Sequence, residues 1–146
     1  MNKPSGKTVF FIAAGAAAAL IITVIIICIS LFIKADEQAR NAYLLQHAVI
    51  ESTSIAETIK ASDNDLQTAG QLLREHKQLN ISDDTLILYY DEDLRPSPHT
   101  DSPYRATVVK TPSDGCISYE IVIADSDGDN EIYSLSFKTL IQGGGQ

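Results

Sequence analysis

VFFIAAGAAAALIITVIIICISLFI, residues 9–33, decides the architecture of this chain. These 25 residues include no Asp, Glu, Lys, Arg, His, Asn, Gln or Pro. At about 1.5 Å of rise per residue, they form a helix of roughly 37 Å, which is long enough to cross a hydrocarbon core of about 30 Å. No second run of this kind occurs in the sequence, which therefore predicts a single-span membrane protein with the lipid bilayer as its first partner.

Two other interpretations of this run are a cleaved secretory signal and a lipoprotein signal. A secretory signal has an apolar region of about 7–15 residues, which is shorter than this run. Cleavage after Ala35 would place Ile33 at a position that requires a small residue. Cys28 follows Ile27, where a lipidation signal needs a small residue, and it lies well inside the run. The sequence therefore favours a permanent anchor.

The charges that flank the run predict its orientation. Lys3 and Lys7 precede it without any acidic residue, whereas Lys34 is offset at once by Asp36 and Glu37. Positive flanks stay in the cytoplasm, so we expect a cytoplasmic tail at residues 1–8, a span at 9–33 and an extracytoplasmic domain after it. The predicted localisation is the cell membrane.

The first half of the run is rich in small residues, from Ala13 to Ala19. Gly15 and Ala19 are four residues apart, a spacing that lets two helices approach closely in lipid. They are therefore candidate partner-packing residues. The alternative is that alanine is simply common in membrane spans.

Charge and cysteine content exclude several classes of function. All 19 acidic residues follow position 35, against eight Lys and Arg there, so the outer part carries about −11. An acidic domain repels phosphate backbones, so we expect no nucleic-acid partner. Cys28 lies in the span and Cys116 in the outer domain, so the two predict neither a disulfide nor a zinc site. No catalytic constellation or small-molecule site is evident, and we expect no enzymatic activity.

Helical periodicity continues beyond the span. A narrow apolar stripe follows alternating spacings of three and four residues, and its members are Ala42, Leu45, Val49, Ser52, Ala56 and Ile59. The sequence predicts one long helix to about Ala61, with this stripe packing on partners or on the protein's own sheet. Ser62–Asp65 then favours a break, and a short second helix is predicted over Leu66–Lys77.

After Asn80 the pattern changes to that of strands. Four are predicted, at 85–90, 104–111, 116–124 and 131–141. The predicted fold class is therefore α+β, with a long helix that spans the membrane and then becomes amphipathic, a short second helix, and a four-stranded antiparallel sheet packed on the long helix. The expected segments are 34–79 for the amphipathic helical part, 80–142 for the sheet and 143–146 for a flexible tail.

This plan resembles the type IV pilins and pseudopilins, in particular minor pilin-like proteins of Gram-positive bacteria. The strings Ala42-Tyr43-Leu44-Leu45-Gln46 and Ser54-Ile55-Ala56-Glu57-Thr58-Ile59-Lys60-Ala61 are similar to the segment just outside the membrane in those proteins, and Leu88-Tyr89-Tyr90-Asp91-Glu92-Asp93 to one of their strands. The prepilin cleavage motif is missing, since Gly6 is followed by Lys7 and no acid precedes Asp36. The resemblance implies an unprocessed minor relative or an accessory anchor; an unrelated single-span protein of similar plan is the alternative.

Asp125-Ser-Asp127-Gly-Asp129-Asn-Glu131 is the sharpest local motif. Its alternating oxygens resemble the start of a calcium loop, with Asp125, Asp127 and Asp129 as ligands. Asn130 stands where such a loop has Gly, and Ser136 stands where it has a bidentate Glu. The alternative is an acidic hairpin turn, which Asp and Gly favour unaided. Calcium is the only cofactor that the sequence suggests.

Two functions are compatible with these features. The first is a non-catalytic, pilin-like subunit or accessory of a type IV pilus or type II secretion-like assembly, with protein partners in the membrane. The second is a single-span surface sensor or ligand-binding accessory that acts through a partner membrane protein.

Overall fold

The computed structural model describes residues 6–74, 79–113 and 115–140. The chain divides into two units, Met1–Asn41 and Ala42–Gln146. In the described part of the first unit every side chain is exposed, and all of it belongs to one helix. That helix is long and apolar enough to cross a membrane. The fold therefore fits a single-pass membrane protein, and residues 1–5 of the predicted tail lie outside the described residues.

The first helix, α1, spans Gly6–Ala61 without interruption. It ends through a backbone reversal in which Asp63 and Asn64 take positive φ angles of 52° and 64°. The Asn64 N–H donates to the Ile59 carbonyl at 3.1 Å. Short polar side chains tolerate this left-handed conformation, which explains why α1 stops where the Ser62–Asp65 string begins.

The second helix, α2, spans Leu66–Arg74. Asp65 caps it, since its carboxylate accepts hydrogen bonds from the Gln67 and Thr68 N–H groups and, at 2.6 Å, from the Thr68 hydroxyl. These bonds hold the pKa of the Asp65 carboxyl below its usual value. The predicted end at Lys77 lies outside the described residues.

The sheet has five strands, and the prediction of four was wrong. The strands are β1 (Leu79–Ile81), β2 (Thr85–Tyr90), β3 (Tyr104–Ser113), β4 (Cys116–Asp125) and β5 (Glu131–Leu140). They form an antiparallel meander in chain order. The missed strand is β1, whose three residues are too few to show an alternating pattern and are defined by pairing with β2, as in Leu79 opposite Leu88.

One face of the sheet carries the core. Tyr119, Ile121 and Ile123 of β4 are completely buried, as their period-two spacing predicts. On the neighbouring strands, Leu86, Leu88 and Tyr90 of β2 and Ala106 and Val108 of β3 are equally buried. The register of β4 and β5 shifts at Ile123/Ala124, close to the turn that joins them. The sheet therefore presents one continuous apolar surface to the helices.

The 42–61 part of α1 covers this surface with a face that the sequence predicted only in part. Its buried residues are Leu44, Ala48, Ser52, Ile55, Ala56 and Ile59. The predicted stripe is correct as a core-packing face only at Ser52, Ala56 and Ile59, since Ala42 is exposed and Leu45 and Val49 keep 46% and 37% of their surface. The stripe is rotated relative to the buried face because the sequence offers apolar residues on both flanks of the helix, and only packing selects between them.

Contacts between described residues attach the helical layer to the sheet. The Tyr90 hydroxyl donates to a Glu51 carboxylate oxygen at 3.1 Å. The Tyr119 hydroxyl donates to the Asn64 carbonyl at 2.6 Å. Lys60 Nζ lies 5.0 Å from the centre of the Phe137 ring. Burial is the main cause that raises the pKa of both tyrosines, and the negative charge of Glu51 adds to it for Tyr90. Both hydroxyls therefore stay protonated donors at neutral pH.

The choice of buried face is testable with two isoleucines of α1. Ile55→Ala is expected to lower the free energy of unfolding by about 3 kcal/mol, because Ile55 is completely buried and its truncation leaves a cavity. Ile50→Ala is the matched control, since Ile50 is 55% exposed and its change is expected to stay within about 0.5 kcal/mol. Urea unfolding of the full chain in detergent micelles, followed by tyrosine fluorescence, measures both. Equal losses would contradict the helix orientation.

Candidate functional site

The turn between β4 and β5 holds the predicted calcium ligands. The Asp125 carboxylate stabilises this turn through two hydrogen bonds. One of its oxygens accepts a hydrogen bond from the Asp129 N–H at 2.9 Å, and the other accepts one from the Asn130 side-chain amide at 2.7 Å. The Gly128 N–H donates to the Asp125 carbonyl at 3.0 Å. Gly128 has a φ of 81°, which favours glycine at this position. The local sequence therefore forms a hydrogen-bonded hairpin turn from its own atoms.

The electrostatics of Asp125 follow from these bonds. The hydrogen bond from the Asn130 side chain is the largest cause that holds the pKa of the Asp125 carboxyl below its usual value, and backbone N–H groups add to it. Asp127 and Asp129 are exposed on the same turn. In the described part of the chain no group of three or more His, Cys, Asp or Glu residues is arranged to hold a metal ion. Calcium binding at Asp125, Asp127 and Asp129 stays a prediction.

The predicted partner-packing residues do not share one environment. In the first unit, Gly15 and Ala19 are exposed on α1. In the second unit, Ala42, Leu45 and Val49 are exposed, whereas Ala56 and Ile59 belong to the hydrophobic core. The residues still available for a partner in the second unit are therefore Ala42, Leu45 and Val49, a surface that we call the α1 flank.

An open depression at the β2–β3 loop is a feature that the sequence analysis missed. It has a volume of about 380 Å³ and is lined by Asp91, Glu92, Ser97, His99, Asp101, Ser102 and Pro103. Residues that are distant in a proline-rich loop come together here because buried Leu94, with a φ of 55°, fixes the loop against the core. No periodic signal in the sequence could have indicated this convergence.

The polar groups of the depression are partly used by the loop itself. The Ser102 hydroxyl lies 2.6 Å from both Ser97 Oγ and the His99 carbonyl oxygen, and Ser97 Oγ accepts the His99 backbone N–H at 3.2 Å. The Asp91 carboxylate accepts the N–H groups of Asp93 and Arg95. The two serines are buried, and their hydroxyls form hydrogen bonds that hold the loop together. The depression is thus lined by acidic side chains and by two serine hydroxyls that already form hydrogen bonds within the loop.

No family model, no curated protein and no solved structure matches the chain.

The hydrogen bonds of the β4–β5 turn predict how Asp125 titrates. A carboxyl whose pKa is lowered by folding stabilises the turn above its unfolded pKa, and this contribution is lost as the pH falls through the lower folded value. In a pH titration of the full chain followed by NMR, we expect the pKa of the Asp125 carboxyl to lie below the usual value of an aspartate. Asn130→Ala removes the largest cause and is expected to move this pKa upwards. An unchanged pKa would show that the side-chain bond does not form in solution.

Calcium binding at the same turn is testable separately. Because Asp125 would have to release its own hydrogen bonds, we expect weak binding, with a Kd of about 1 mM or above, the range of low-affinity oxygen-ligand sites. NMR shifts of the 125–130 amides during CaCl₂ titration measure it. The variant Asp127→Asn/Asp129→Asn is expected to abolish the saturable shifts. Shifts that do not saturate, or that survive in this variant, would contradict a calcium site.

Proposed function

We propose that this protein is a membrane-anchored, non-catalytic subunit or accessory of a membrane-associated protein assembly. The apolar segment of α1 holds the chain in the membrane, and the domain after it supplies the surface that partners contact. The charge distribution supports a cytoplasmic N-terminus and an extracytoplasmic outer domain.

The observation that carries this proposal is the exposed α1 flank. The sheet packs on another face of α1, centred on Leu44, Ala48 and Ile55, and the residues of the α1 flank do not belong to that core. Ala42, Leu45 and Val49 are nonetheless apolar and begin only nine residues after the end of the apolar run at Ile33. A contiguous exposed apolar patch on a folded domain is a candidate surface for contact with another protein, and the α1 flank is such a candidate.

The finer form of the proposal follows from the resemblance to the type IV pilins and pseudopilins. A helix that passes from the membrane into an amphipathic segment and then meets an antiparallel sheet is the plan of those subunits. We therefore propose a type IV pilus or type II secretion-like assembly as the setting. The small residues Gly15 and Ala19 would then permit close helix packing in the membrane.

A second candidate function is a surface sensor or ligand-binding accessory. The depression at the β2–β3 loop favours it, because a concave site on the outer domain is what such a module requires. This role would need a partner membrane protein to carry the signal.

Photo-crosslinking from native membranes tests the assembly role. A photoreactive phenylalanine analogue replaces Gln46, which is exposed close to the α1 flank, and the control carries it at Gln71, which is exposed on α2. We expect adducts with pilin-like or secretion proteins from position 46 and at least fivefold fewer from position 71. Adducts with a receptor or transporter would support the sensor role instead. Monomer alone at both positions would contradict assembly through the α1 flank.

A further inference from the structure

We draw no further inference here: the strongest candidate, the long edge of the sheet at β5 with the half-buried side chains of Tyr133, Leu135 and Phe137 beside it, is a surface for which nothing in the described part of the structure shows what covers it.

Discussion

Burial of one face of α1 on the inner face of the sheet is the constraint on which the second unit of the chain, Ala42–Gln146, depends. The five-stranded meander has one apolar face, whose exposure to water is unfavourable. Ile55, Ile59 and their neighbours on the helix cover this face. The same packing fixes which residues of α1 stay outside. The rotation of α1 about its own axis therefore determines both which residues form the core and which remain exposed as a candidate partner surface.

Local hydrogen bonds determine where the helices of this arrangement begin and end. Asp65 starts α2, and the positive φ angles of Asp63 and Asn64 end α1, so the chain reverses within four residues. That reversal brings the Asn64 carbonyl to the Tyr119 hydroxyl on β4. A short polar string thereby connects the end of the long helix to the centre of the sheet.

The turn at Asp125 shows how one motif can fit two different functions. The alternating acids at 125, 127 and 129 are compatible with a cation site. However, both Asp125 carboxylate oxygens are already bonded within the turn. The turn's own hydrogen bonds thus explain the hairpin geometry. The backbone conformation does not require a bound metal ion.

The sequence by itself determined the apolar run at 9–33, the α+β class, the end of α1 at Ala61 and the alternation of β4. Each of these follows from local composition or from a period that neighbouring residues display. Tertiary structure alone decided the short strand β1, the rotation of the buried face away from Ala42, Leu45 and Val49, and the depression lined by Ser97, His99 and Ser102. The physical reason is that pairing, helix rotation and loop closure depend on residues distant in the chain, whose contacts leave no periodic signal in either partner.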